Sequence, residues 1–139
     1  MGGKTEERKI PTVIIDTDIL IWYFRGNRNA MDYIADIPYK KRAISAFCIM
    51  ELIQGCMDKK ELKSVKEFIR LNFSKVLYPD ERISEKAILL LERHALSDGL
   101  RTVDALIAAS AMSHKASLAS ANYRHFKKID GLHVVHFKP

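Results

Sequence analysis

Thr12-Val13-Ile14-Ile15-Asp16-Thr17-Asp18-Ile19-Leu20-Ile21-Trp22-Tyr23-Phe24 is the stretch on which the reading of this chain turns. Its β-branched run, Val13, Ile14 and Ile15, has the character of a buried strand and stops abruptly at Asp16. A second apolar run follows and predicts a helix over 19–24 that carries Leu20 and Phe24. A carboxylate therefore stands at the carboxyl end of a strand, where open α/β sheets collect their ligands. Asp16 and Asp18 are also good helix caps, so this stretch alone leaves chemistry and capping evenly balanced.

Working outward, Arg25-Gly26-Asn27 ends the first helix, and a short amphipathic helix over 30–37 is closed by Pro38. A second strand over 43–45 runs directly into a helix over 47–54. Leu62, Val65, Phe68, Ile69 and Phe73, with lysines between them, give an amphipathic helix over 60–73. A short strand over 75–78 stops at Pro79-Asp80, and a helix over 84–96 is broken by Asp98-Gly99. An almost wholly apolar helix over 102–113 precedes strands over 117–121 and 132–137. Strands alternating with helices predict a three-layer α/β sandwich, a mainly parallel central sheet with helices on both faces.

At 139 residues the chain is expected to form one domain over 10–139, preceded by a flexible polar lead over 1–9. No apolar run approaches the ~20 residues of a membrane helix, and the lead has no signal-peptide core, so a cytoplasmic protein without a membrane partner is expected. Cys48 and Cys56 share one apolar stretch and read as free thiols, neither disulfide nor zinc site. A net charge of +6 makes a polyanion a plausible partner, though lysine-rich surfaces often serve solubility alone.

Two more acids stand in apolar company. Glu51 lies mid-helix in a stretch, 43–57, whose only other polar side chains are Ser45 and Gln54; Asp104 and Ser110 are the polar side chains of 103–112. Helices apolar on every face are buried, and a buried carboxylate costs several kcal/mol unless a positive or hydrogen-bonding group compensates it. Asp104 has an alternative, since an acid in the first turn of a helix is favoured by the dipole. Glu51 has no such local reason. Asp16, Glu51 and Asp104 offer oxygen ligands alone, which suit Mg²⁺ or Mn²⁺ and, with a basic chain, point to phosphodiester hydrolysis on a nucleic acid.

Four blocks carry a resemblance: Ile14 through Trp22 around Asp16, Ala43 through Gly55 around Glu51, Asp104 through Ala111, and Leu118 through Phe126 around Asn122. Together they resemble a PIN domain, in particular the VapC-type toxins of prokaryotic toxin–antitoxin pairs, over the chain from about Ile10 to its end. The resemblance implies a parallel sheet between helix layers, Mg²⁺- or Mn²⁺-dependent RNA cleavage, a homodimer and a cognate antitoxin partner. It implies Asp16, Glu51 and Asp104 as metal ligands and catalytic acids, with Asn122 at the fourth acidic position, where its carbonyl would orient a metal-bound water or where it simply caps the next helix.

Thr17, Ser45 and Ser120 adjoin these positions as hydrogen-bonding supports or as ordinary turn hydroxyls, and Asp18 reads as a cap ahead of a weak metal contact. Asp98 reads as turn chemistry. Arg124, His125, Lys127 and Lys128, with Lys40, Lys41 and Arg42, are candidates for contacts to the RNA backbone, although His125 is read first as a solvated side chain. Trp22, Tyr23 and Phe24 are expected in the core before any partner surface. The alternatives to a toxin nuclease are a non-cleaving PIN-like module that binds RNA or protein, and a housekeeping RNA-processing nuclease.

Overall fold

Three consecutive β-branched residues form β1 (Val13–Ile15), and all three are buried. Strands covered on both faces need a layer on each side. The computed structural model describes residues 10–139, so the expected lead over 1–9 lies outside the described residues. After β1 come α1 (Thr17–Phe24), α2 (Arg28–Asp36), a 3-10 turn (Tyr39–Lys41), β2 (Arg42–Ser45), α3 (Ala46–Gln54), α4 (Lys59–Asn72) and β3 (Lys75–Leu77). Then follow α5 (Glu81–Asp98), α6 (Thr102–Ser113), β4 (Ser117–Ser120), α7 (Tyr123–Phe126) and β5 (Val134–His136).

The strands form one sheet in the order β3-β2-β1-β4-β5, and every pairing is parallel. The expected mainly parallel sheet is thus wholly parallel among the described residues. The chain moves outward from β1 to β2 and β3, then returns to lay β4 on the other side of β1. Connections leaving β1 and β4 therefore diverge, which opens a crevice beyond their carboxyl ends. Asp16 follows β1 and Asn122 lies two residues beyond β4, so both border that crevice.

Ile14, Ile15, Ile44 and Leu118 from the sheet are completely buried with Ile19, Leu20 and Ile83 from the helices, and Phe126 anchors the short α7 in the same core. Polar punctuation sets the helix starts. Asn27 accepts from Ala30 N at 2.9 Å, Asp58 from Glu61 N at 2.8 Å and Asp80 from Ile83 N at 2.8 Å, each satisfying an N–H that has no partner within its helix. Asp80 is the cap itself, which is why α5 starts at Glu81, three residues ahead of the expected 84. It ends where Gly99 adopts φ +69, a conformation glycine reaches without strain.

Two expectations are corrected here. Helix α3 is not buried all round: Ala46, Cys48 and Leu52 face the core, but Met50 and Ile53 are exposed, and Glu51 is exposed with them. The apolar outer residues of α3 line a surface, so burial is not what sets Glu51 apart. Helix α6 does meet the expectation, burying Ala105 and Ile107 through Ala111. The aromatic run divides: Trp22 and Tyr23 are half-buried, whereas Phe24 is exposed, and Tyr23 and Phe24 both pack on Phe68 with ring centroids 4.6 and 4.9 Å away, tying α1 to α4. Cys48 and Cys56 are free, the first buried and the second half-buried. No described helix is long and apolar enough to cross a membrane.

Candidate active site

Asp16 has the extended backbone of a helix cap, and its Oδ1 accepts from Thr17 N at 2.8 Å, so it begins α1. Capping and chemistry are not alternatives for this residue. Its second oxygen turns to the neighbouring strand and accepts from Ser120 Oγ at 2.8 Å. Asp18, expected as the cap, sits inside the first turn instead, because Asp16 already holds the cap position. Asp18 Oδ2 reaches across to accept from Ala121 N at 3.1 Å and lies 3.2 Å from Ser120 Oγ. A hydroxyl has one proton, so Ser120 serves one aspartate at a time, while its oxygen accepts from Asn122 N at 3.0 Å. Asp18 Oδ1 is buried with no hydrogen-bond partner among the described residues.

Charge crowds this corner. Burial pushes the Asp16 carboxyl up to about 7; the Asp18 and Asp104 charges push the same way, and the bonds from Ser120 and Thr17 offset only part of the rise. Burial also raises Asp18, against hydrogen bonds from Ala121 and Ser120. Cys48, completely buried beside Asp16, is pushed upward by burial first and by that aspartate's charge second, so it stays an inert thiol.

Asp104 enters from the first turn of α6. Its Oδ2 is 3.4 Å from Arg101 N, a long capping contact, and 3.3 Å from His125 Nδ1. The same ring nitrogen is 2.7 Å from the Asn122 side-chain amide. One nitrogen cannot accept from an amide and donate to a carboxylate together, so the ring tautomer and the amide orientation are set jointly. His125 is thus no solvated rim residue. It is half-buried and joins Asn122 to Asp104, because the first turn of α7 brings positions 122 and 125 to one side. The Asn122 side chain makes no capping bond to α7. Glu51 approaches the start of α1 from α3, where its Oε1 accepts from the Thr17 hydroxyl at 2.8 Å.

A family model of the PIN domain matches residues 13–132, a span from the first residue of β1 to just before β5 that holds every side chain named above. The chain belongs to the PIN domain family. Among similar proteins, Ribonuclease VapC1 of Rickettsia felis is 29% identical over 129 residues, covering 88% of this chain and 94% of that protein. A toxin–antitoxin complex from Klebsiella pneumoniae contains a chain that superposes with a TM-score of 0.75 at 28% identity, covering 88% of this chain and 95% of that one. DNA-bound VapBC from Salmonella typhimurium gives a TM-score of 0.75 at 20% identity, with 91% and 98% covered, a likeness of fold.

The remaining candidates of this PIN domain fall into place by topology. Ser45 Oγ accepts from Phe47 N at 3.1 Å and caps α3, so its hydroxyl serves the helix start. Lys40, Lys41 and Arg42 stand at the amino end of β2, and in a parallel sheet every amino end lies on the edge opposite the acids. Arg42 is occupied there, its Nε donating to Ile37 O at 2.8 Å. Lys128 pairs with Asp98 Oδ1 at 3.3 Å, and Asp98 also holds His94 Nδ1 at 2.8 Å, so Asp98 is an ion-pair partner as well as the end of α5. Arg124 and Lys127 remain exposed beside the crevice.

Among the described residues no three His, Cys, Asp or Glu side chains close into a ready-made metal cage. The acids of the PIN crevice are an open set, spaced by Ser120, Thr17 and His125. That arrangement of oxygen donors fits Mg²⁺ or Mn²⁺, which take carboxylate ligands and retain several waters. The unpartnered Asp18 Oδ1 and the reluctance of Asp16 to ionise are both features that a bound cation relieves.

Proposed function

We propose that this PIN domain is a metal-dependent endoribonuclease and the toxin of a type II toxin–antitoxin pair, acting in the cytoplasm. The observation that carries the reading is the gathering of Asp16, Asp18 and Asp104 at the β1/β4 crevice, where one aspartate is held up to about 7 and another has a buried oxygen without a partner. Burial and mutual repulsion oppose the joint ionisation of carboxylates so placed, and a cation between them favours it. Asp16, Glu51 and Asp104 would hold Mg²⁺ or Mn²⁺, with Asp18 Oδ1 a further oxygen within the same set. When bound, the ion supplies a water activated as nucleophile and stabilises charge on the phosphoryl oxygens.

The chain's own groups do the rest. Ser120 holds Asp16 or Asp18 in orientation, Thr17 does the same for Glu51, and His125 with Asn122 steadies Asp104. Arg124 and Lys127 at the rim place the strand through its phosphates. RNA as the substrate is supported by the relative named as a ribonuclease.

A groove of about 760 Å³ among α1, α3 and α4, with Ile21, Phe24, Leu52 and Met57 in its walls, leads to Glu51. Its exposed apolar walls suit an amphipathic segment of an antitoxin, a partner supported by the toxin–antitoxin complexes among the structural neighbours. A homodimer is part of the same reading.

Purified protein should cut RNA with Mg²⁺ or Mn²⁺ and stop on chelation, and Asp16→Asn or Glu51→Gln should lower the rate by about 100-fold or more. Cleavage that survives chelation, or two variants as fast as wild type, would overturn the assignment. A protein that binds RNA without cutting it would be the non-cleaving module instead.

A further inference from the structure

Helix α4 carries a row of cations outside the acid site. Lys59, Lys63, Lys66 and Arg70 recur at intervals of four, three and four residues along α4, which sets them on one face of that helix. All four are exposed, and together with Leu62 and Glu67 they line a shallow concavity of about 720 Å³. Arg70 is paired with Glu67 at 2.6 Å; Lys59, Lys63 and Lys66 have no carboxylate partner among the described residues.

Both ends of this face are placed. At the start of α4, Lys60 and Ser64 form part of the wall of the groove that contains Glu51, so the face begins beside that groove. At the far end, the Tyr39 hydroxyl donates to Phe73 O at 3.4 Å and Ser74 Oγ donates to Lys40 O at 3.1 Å, which binds the Tyr39–Lys41 turn to the last turn of α4. Lys40 and Lys41, excluded from the acid site by topology, therefore lie beside the last turn of α4. At 1.5 Å per residue the run from Lys59 to Arg70 alone spans about 16 Å.

We infer that this face is a second contact surface for the RNA substrate, a band that holds phosphates of a strand or stem extending beyond the cleaved bond. The inference rests on the nuclease reading above. Three unpaired cations on one straight helix face match a regularly spaced line of phosphates and carry no means of reading bases, so the band favours length and shape of RNA over sequence. A substrate too short to reach it is cut without its help.

The test compares wild type with the triple variant Lys59→Gln, Lys63→Gln, Lys66→Gln. Glutamine keeps the helix propensity of lysine, and all three positions are exposed. A control variant, Arg82→Gln with Lys86→Gln, removes charge from α5. Binding of a long hairpin RNA is measured in chelator, without cleavage, across a range of salt, and cleavage of a hexanucleotide is measured with Mg²⁺.

The expected result is hairpin binding weakened by about 10- to 100-fold, with the slope of log affinity against log salt reduced by about 2 to 3, as the loss of three phosphate contacts requires. Hexanucleotide cleavage and the control variant stay at wild-type levels. Unchanged hairpin binding, an equal loss in the control, or an equal loss on the hexanucleotide overturns the inference. Loss confined to a DNA duplex or to an acidic protein partner overturns it in favour of that ligand. Because binding is read in chelator, a chain that never cuts RNA would defeat the nuclease reading and still report on the band.

Discussion

Asp16 shows how one side chain holds two offices. Its Oδ1 starts α1 and its Oδ2 joins β4, so it stays fixed whether or not it is charged. In the folded, metal-free protein it keeps its proton to about pH 7, while an unfolded aspartate loses it near 3.8. Between those values the folded state binds more protons than the unfolded one, so stability falls as pH rises through that window. Asparagine retains the cap without the charge. Urea unfolding in chelator should find Asp16→Asn about 1–3 kcal/mol more stable than wild type above pH 7 and equal to it below pH 4. Mg²⁺ should raise the wild-type Tm more at pH 8 than at pH 5, because the ion competes with that proton. Ser120→Ala removes a fully buried hydroxyl that donates to Asp16 or Asp18 and accepts from Asn122 N; it should cost about 1–2 kcal/mol in the same titration and lower metal affinity by about 10-fold or more.

At the scale of elements, polar residues between apolar runs do most of the placing. Ser45 caps α3 and so aims the helix that carries Glu51, yet it contacts none of the acids' partners. Ser45→Ala should therefore cost about 1 kcal/mol of stability, read by denaturant midpoint, while kcat per folded molecule and metal affinity stay at wild-type values. Ser120→Ala and Ser45→Ala thus separate a serine of the site from a serine of the scaffold. Gly99→Ala should cost about 1 kcal/mol as well, by a different cause: the space around a new Cβ is open, but φ +69 is strained for any residue with one.

Across the whole molecule, the strand order decides what meets what. Because β1 and β4 are neighbours, residues 16 and 120 share hydrogen bonds over 104 positions of sequence. The same parallel order sends Lys40, Lys41 and Arg42 to the opposite edge. Among the described residues the groove beside Glu51 stays open, with Ile21, Phe24 and Met57 exposed in its walls. Ile21→Glu with Met57→Glu should leave the unfolding midpoint nearly unchanged, both side chains being exposed, and should weaken capture by a cognate antitoxin by about 10-fold or more, measured by calorimetry.

What the chain's order of residues determined by itself was local. Val13, Ile14 and Ile15 specify a strand covered on both sides, the alternation of strands and helices specifies a layered parallel sheet, and the four blocks around Asp16, Glu51, Asp104 and Asn122 specify the PIN family. Periodicity reports apolar character, however, and not whether a neighbour covers it. Hence Glu51 looked buried on a helix whose outer face is in fact open. Spacing likewise shows that Asp16 and Asp18 can cap but not which of them does; the backbone conformation at the start of α1 gave the cap to Asp16 and freed Asp18 to reach Ala121. The link from Asp104 through His125 to Asn122 joins two helices across the intervening β4, so only the packing of α6 against α7 reveals it. The first and third points turn on which elements cover or meet one another, which the sheet order sets, and the second on the backbone path where β1 gives way to α1; spacing along the chain reports neither.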